Sequence, residues 1–335
     1  MIIPINMKND NYDIVFEKSV LKKAGKYLNL DRKVLVVTDD GVPHEYAQTL
    51  TKQCRDAFLI TLPQGEKTKS FDSYKTLLSV MLQNNFTRTD CVVALGGGVI
   101  GDLSGFVASS YMRGVDFYNI PTTVLSQVDS SIGGKVAIDF LGYKNIVGAF
   151  YQPKKVLIDC DVLSTLTERQ FSNGLAESLK MALTSDEKLF ELFETEDIKI
   201  NIEKIIYASL LIKKKVVEQD EKEAGLRKIL NFGHTIAHGI ESDTALSDWY
   251  HGECVAVGMI PMCSREVRKR LLPILRKINL PTQITFNVDN VIEAMKHDKK
   301  MSGNDITVVT VEKVGQCKLE NIPFNELALK MKEVL

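Results

Sequence analysis

Short apolar runs rich in β-branched residues alternate with segments of helical period through the first half of the chain. KVLVVTDD, beginning at Lys33, is apolar without interruption from Val34 to Val37, as a strand buried on both faces requires. VPHEYAQTL after it reads as a helix and AFLITL as a second strand. FDSYKTLLSVMLQNN carries Phe71, Tyr74, Leu77, Leu78 and Met81 at helical spacing. DCVVALGGG, from Asp90 to Gly98, is a third strand that runs into a glycine turn. VDFYNIPTT and KVLIDCDVL are further strands, separated by the Gly-rich loop SSIGGK. Strands alternating with helices predict an α/β domain whose parallel sheet is covered on both faces. From Ser164 to Met295 the period is mostly helical and β-branched runs are few. A boundary near Leu157–Leu163 therefore predicts an α/β domain over 1–160 and a mostly α-helical domain over 161–335.

With 335 residues the chain can build two sizeable cores, and 44% hydrophobic with 25% charged residues is an ordinary globular balance. Lys+Arg 42 against Asp+Glu 43 leaves a net charge of -1, so no global field recruits nucleic acid or an anionic membrane. The six cysteines (Cys54, Cys91, Cys160, Cys254, Cys263, Cys317) are scattered and form no CxxC pair, which suits a reducing compartment. MIIPINMKND lacks the basic region and apolar stretch of a signal peptide, and no run approaches the ~18 apolar residues of a membrane helix. A cytoplasmic protein with no nucleic-acid or membrane partner is expected.

Three of the five histidines fall within the segment from His234 to His251, in NFGHTIAHGI and YHGECVAVG. His234 and His238 are four residues apart and would project from one helical face. Upstream, GLAESLK places Glu177 and Lys180 one turn apart. A lone histidine is more often a core or capping residue than a ligand. Clustered histidines beside glycine turns, with a carboxylate nearby, favour a catalytic site for a divalent metal such as zinc. Spacing alone leaves His234, His238 and His251 all open as ligands.

LGGGVIGD follows a strand and opens a helix, the context in which glycines let a backbone approach a pyrophosphate. Its GGGxxGD pattern matches neither the dinucleotide fingerprint nor the P-loop, so a plain structural turn competes with that reading. Asp39 or Asp40 of TDDG could accept hydrogen bonds from a ribose, which suits NAD, and Glu66 and Lys69 lie at the next strand end. Between the halves, Arg113, Asp129, Lys135, Lys144 and Asn145 are set among Val, Ile and Leu and are expected to be buried. Buried cations need an anion. With Lys180 and Arg227, they predict a pocket for a phosphate and a carboxylate on a small substrate. The charge run KKKVVEQDEKEAGLRK reads as a solvated face, but its place before the histidines keeps Lys213, Glu223 and Arg227 as candidates. Nucleotide, metal and anionic substrate together indicate redox chemistry on a phosphorylated hydroxy acid or polyol.

In this order, GGGVIGD, YMRG, PTT, VDSSIGGK, GYKN, GAFYQP, GLAES-LK, LNFGHT-AHGIE and HGE-VAVGM resemble the 3-dehydroquinate synthase family, from about Asp31 to Lys300. The resemblance implies an NAD- and zinc- or cobalt-dependent homodimer. Its substrate would be 3-deoxy-D-arabino-heptulosonate 7-phosphate (DAHP), carried through transient oxidation, β-elimination of phosphate, re-reduction, ring opening and aldol closure. It implies Glu177, His234 and His251 as metal ligands, with His238 on the substrate side. Lys135, Lys180, Glu223, His238, Asp129 and Arg113 match the catalytic residues, Arg113 reaching a neighbouring subunit. Lys144, Asn145, Lys213, Arg227, Asn231 and Lys299 (less surely Lys300) match substrate contacts. Asp39, Glu66, Lys69, Gly97, Gly98, Val99, Asp102, Thr122 and Thr123, with Lys135 and Lys144, match the NAD site.

Three rivals remain. A metal-dependent polyol dehydrogenase, such as a glycerol dehydrogenase, would need no phosphate pocket, so Lys135, Lys144, Asn145 and Arg227 count against it. A related sugar-phosphate cyclase would alter the carboxylate-binding cations, whereas Lys213 and Arg227 are retained. A non-catalytic nucleotide- and metal-binding regulator has little use for an anion pocket beside an open metal site.

Overall fold

The computed structural model describes every residue except 9, 243–247, 286–289, 293–294, 296–300, 303–304 and 335. The chain forms two compact units, Met1–Leu166 and Thr167–Leu335.

The first unit contains strands β1 (Ile2–Ile5), β2 (Tyr12–Phe16), β3 (Lys33–Asp39), β4 (Asp56–Leu62), β5 (Cys91–Gly96), β6 (Asp116–Pro121), β7 (Lys135–Phe140), β8 (Tyr143–Phe150) and β9 (Lys155–Ile158). Its helices are α1 (Ala24–Tyr27), α2 (His44–Thr51), α3 (Phe71–Gln83) and α4 (Gly98–Ser110). Seven strands make one sheet in the order β1-β2-β9-β6-β5-β3-β4. All neighbours are parallel except β1 and β2, an N-terminal antiparallel pair (Ile3 opposite Ile14) that the alternating pattern did not predict.

Alternation along the central strands divides the core into two layers. Val34, Val36, Val93 and Leu95 point to one face, where they meet Leu21, Leu50 and Leu157. Leu35, Val37, Val92 and Ala94 point to the other, against Leu77 and Met81 of α3 and Ile100, Leu103 and Val107 of α4. Both layers are buried, which is why β3 and β5 read as unbroken apolar runs rather than alternating ones. Leu35→Ala would cost about 2–5 kcal/mol. Glycine lets α4 lie close to its support: a Cβ at Gly105 would stand 2.4 Å from Val136 Cγ1.

The chain leaves β3 toward β4 on one side and returns to β5 on the other. That reversal opens a crevice at the carboxyl ends of β3 and β5, where open α/β sheets receive ligands. β7 and β8 form a separate antiparallel hairpin, turning at Leu141–Gly142. The hydrophobic pattern predicts only a Gly-rich loop here, SSIGGK.

The second unit contains α5 (Glu168–Ser185), α6 (Glu187–Thr195), α7 (Ile202–Gln219), α8 (His234–Ser242), α9 (His251–Met259) and α10 (Arg265–Lys277). After these come strands β10 (Met301–Ser302), β11 (Asp305–Lys313) and β12 (Gln316–Pro323), which form an antiparallel sheet, and helix α11 (Phe324–Val334). This small sheet was not expected. α5 begins with a capping box, Thr167 with Gln170, and is buried at every position from Gly174 to Thr184. It is the central helix of the unit.

Candidate active site

In the first unit, the matched nucleotide residues gather around the crevice. Asp39 ends β3; its buried carboxylate accepts the Gly41 N–H at 2.9 Å and burial raises its pKa against that bond. Asp40 is exposed and turns instead to the Gln64 N–H at 2.7 Å. Gly97 caps α4 and Gly98 and Val99 begin it, with no side-chain cap hydrogen bond at this end, an arrangement suited to an anion. The Thr122 N–H reaches the Gly96 carbonyl at 2.9 Å, and Thr123 Oγ1 lies 2.8 Å from Ser126 Oγ.

Lys69 is buried beside this loop. Its ammonium donates to Asp102 Oδ2 at 2.8 Å and to Asn145 Oδ1, with Glu66 Oε1 at 3.6 Å. Burial opposes the charge on Lys69, yet Asp102 and Glu66 outweigh it and raise its pKa; the same burial raises Asp102, which Lys69 only partly offsets.

The expectation of a buried cation cluster in this unit is corrected. Arg113, Lys135, Lys144 and Asn145 are exposed and Asp129 is half-buried. For Lys144 and Asn145 the reason is the hairpin: six of the eight β8 residues from Tyr143 to Phe150 are exposed and the other two half-buried, because β8 pairs only with β7 and it is β7 that packs on α4 through Val136 and Ile138. Arg113 sits with Met112 and Gly114 in a turn of positive φ values (49°, 69° and 122°).

In the second unit, three helices bring three ligand-type side chains together. Glu177 comes from the middle of α5, His234 opens α8 and His251 opens α9. Their ligand atoms all lie within 4.8 Å of one another. Glu177 Oε1 is 3.5 Å from His234 Nε2 and 3.5 Å from His251 Nε2, and it has no hydrogen-bond partner among the described residues. A buried, unbonded carboxylate oxygen is costly unless something else fills the position. Tetrahedral zinc with bonds of about 2.0–2.1 Å places neighbouring donors about 3.3–3.4 Å apart, so the spacing and the donor set both fit a divalent metal.

Backbone contact sets this spacing. A Cβ at Gly252 would stand 1.9 Å from the Asn173 carbonyl oxygen, and the Gly252 N–H donates to Asn173 Oδ1 at 2.6 Å, so α9 is seated on α5. Gly233 has φ +76°, and its carbonyl oxygen would be 2.2 Å from a Cβ at Gly258, so α8 is seated on α9. The entry of α9 is further held by Glu253, which caps the Tyr250 N–H at 2.8 Å and takes a two-pronged bond from Arg169 (2.7 and 2.8 Å).

Lys180 is 1% exposed and donates to Glu177 Oε2. Burial alone would push Glu177 up, but Lys180 and His251 outweigh it and hold the carboxyl down at about 2. Burial pulls the His251 pKa down while Glu177 and Glu241 push it up to about 10. His238 stands edge-on to His234 with ring centroids 5.6 Å apart, and it is not a member of the three-residue donor group.

Lys213 and Arg227 are buried. Arg227 Nη1 donates to the Glu221 carbonyl at 2.6 Å, and the Arg227 N–H to Asp220 at 2.9 Å. Asn231 Nδ2 donates to Glu223 Oε1. Lys299 and Lys300 lie outside the described residues. Asn173, Glu241, Arg169 and Glu253 escaped the sequence reading; only Glu253 left a signal, as the third residue after the Tyr250 cap.

Two family models match in succession: "3-dehydroquinate synthase N-terminal" over residues 59–173 and "3-dehydroquinate synthase C-terminal" over 174–301. The 3-dehydroquinate synthase of Streptococcus suis (strain 05ZYH33) is 39% identical, with 98% of each chain covered. Among solved structures, 2-deoxy-scyllo-inosose synthase complexed with carbaglucose-6-phosphate, NAD+ and Co2+ superposes with a TM-score of 0.89 at 23% identity, covering 100% of both chains. The 2-epi-5-epi-valiolone synthase of Streptomyces hygroscopicus subsp. jinggangensis 5008, with NAD+ and Zn2+ bound, superposes at 0.88 with 24% identity, covering 98% of both. At such identities the structures share the fold.

Proposed function

Because the chain belongs to the 3-dehydroquinate synthase family, we propose that it converts DAHP to 3-dehydroquinate and inorganic phosphate, with NAD and a divalent metal as cofactors. It is a carbon–oxygen lyase acting on a phosphate. The observation that carries the cofactor reading is the triangle of Glu177, His234 and His251, in which the buried Glu177 Oε1 has no hydrogen-bond partner among the described residues. The two similar solved synthases bind NAD+ with Co2+ or Zn2+, which supports the same pair here.

Glu177, His234 and His251 would hold the metal, and Asp39, Glu66, Lys69, Asp102, Thr122, Thr123 and the amides of Gly97, Gly98 and Val99 the NAD. When bound, the metal acidifies a chelated hydroxyl and NAD takes up and returns a hydride. The protein's own share is charge and position. Lys180, which donates to Glu177, and the buried Lys213 and Arg227 offer fixed positive charge to phosphate and carboxylate. Asn231 is oriented by Glu223 for a substrate hydroxyl, and His238 stands beside His234 as a proton-handling group. Asp129, Lys135, Lys144, Asn145 and Arg113 would complete the substrate contacts, with Lys299 from the undescribed segment. NAD binding belongs to a domain over 1–160, and metal and substrate binding to one over 161–335.

The proposal includes a homodimer, with Arg113 serving the neighbouring subunit's site, and a cytoplasmic location. Six free cysteines support a reducing compartment, and no described helix is long and apolar enough to cross a membrane.

The test follows phosphate and NADH in one cuvette. With DAHP, NAD and zinc, phosphate should accumulate while NADH absorbance does not rise, because the hydride returns. Stoichiometric NADH from glycerol, with no phosphate from DAHP, would replace the synthase by a polyol dehydrogenase.

A further inference from the structure

His251 is engaged on both ring nitrogens. Nε2 faces Glu177 Oε1, while Nδ1 lies 2.9 Å from Oε1 of Glu241, whose side chain is 7% exposed. An ionised carboxylate can only accept, so the proton of this contact resides on Nδ1 and the Nε2 lone pair is left for a metal. His234 is handled in the same sense but by a neutral group: its Nδ1 lies 3.1 Å from the Phe232 carbonyl oxygen.

The placement of Glu241 follows from helix geometry. It is seven residues after His234 on α8, two turns along, so both project from one face. One helix thus supplies a ligand from its first turn and, from its last, the carboxylate that orients a ligand on α9. Residues such as Arg169, Glu253 and Asn173 fix the backbone of α9, but they leave the imidazole free to turn about its own bond. Glu241 supplies the hydrogen bond at Nδ1 that opposes that rotation.

We infer that Glu241 is a positioning residue for the metal centre, fixing the His251 tautomer and ring orientation through Nδ1. The inference rests on the metal reading above. Partners of this kind change metal affinity by ~10–100-fold when removed.

Full-length protein is stripped of metal, and zinc affinity is measured by competition with a chromophoric chelator; the visible spectrum of the cobalt form reports ligand geometry. Glu241→Leu keeps the volume and removes the acceptor. It should bind zinc ~10–100-fold more weakly and alter the cobalt spectrum. Glu241→Gln keeps an acceptor oxygen and should recover most of the affinity. A Glu241→Leu protein that binds zinc within twofold of wild type, with an unchanged cobalt spectrum, overturns the inference and leaves the metal site standing. Wild-type protein that binds neither metal overturns both. Should Glu241→Leu not fold, nitrogen-15 spectra of the zinc-loaded wild type decide: a protonated Nδ1 with metal on Nε2 is expected, and metal on Nδ1 overturns it.

Discussion

Gly258 and Gly233 touch backbone to backbone: a Cβ at position 258 would stand 2.2 Å from the Gly233 carbonyl oxygen. The atom in the way belongs to the main chain, so it cannot swing aside as a side chain would. Gly258→Ala should therefore destabilise the protein by about 1–3 kcal/mol. It should also loosen zinc binding, because Gly233 precedes the ligand His234. Denaturant melts and metal titration check this; a wild-type melt would mean that α8 and α9 tolerate separation.

Removal of the metal should stop turnover without unfolding the chain, since this site joins helices already packed through large apolar faces. Chelator treatment is expected to abolish phosphate release, with zinc or cobalt restoring it, while circular dichroism stays constant. His251→Ala should reproduce the loss irreversibly. Full activity after verified metal removal would sink the ligand assignment.

Lys69→Ala leaves Asp102 and Glu66 without their cation. Loss of one partner of a fully buried pair costs about 3–5 kcal/mol. Asp102 is 19% exposed, so about 2–3 kcal/mol is expected here. Lys69→Met with Asp102→Asn should recover stability but not NAD affinity, measured by isothermal titration calorimetry. Normal NAD binding in the double variant would remove Lys69 from the nucleotide site.

Asp220 accepts the backbone N–H groups of Ala224, Gly225 and Arg227 (2.9, 2.7 and 2.9 Å). Burial would raise its pKa, but the three donors win and lower it below 3.8. A carboxyl depressed on folding stabilises above its unfolded pKa and loses that contribution as pH falls through the folded value. Asp220→Asn should thus be less stable than wild type at neutral pH, with the gap closing below pH 3.8. A gap independent of pH would show that charge on Asp220 contributes nothing.

Arg113 provides a test of the dimer. If it serves a neighbouring subunit, inactive Arg113→Ala and inactive Lys180→Ala proteins should regain activity after subunit exchange, because one hybrid site holds both residues intact. No recovery despite demonstrated exchange confines Arg113 to its own subunit.

The unbroken apolar runs of β3 and β5 were legible because burial on both faces leaves no polar position, and Val34 and Leu35 can serve opposite layers without altering the pattern. The motif glycines 233, 252 and 258 were legible as letters, and the family with them. Their physical meaning, backbone contact between α8, α9 and α5, required coordinates. Local pattern missed the β7–β8 hairpin and the β10–β12 sheet, whose strands carry many exposed positions and pair with each other rather than with the main sheet.

Residue types and spacing by themselves announced a metal and an anionic ligand, but left three histidines as equal candidates. What separates them is the approach of three helices: Glu177 Oε1 meets the Nε2 atoms of His234 and His251 at 3.5 Å, with His238 outside that donor group. Glu241 likewise stood in the sequence only as the last letter of AHGIE, since nothing in a helix-period pattern tells which carboxylate will stand 2.9 Å from an imidazole on the next helix. Composition and periodicity are properties of each segment alone. Tautomer, ligand geometry and exposure depend on which segments touch, and only tertiary packing decides that.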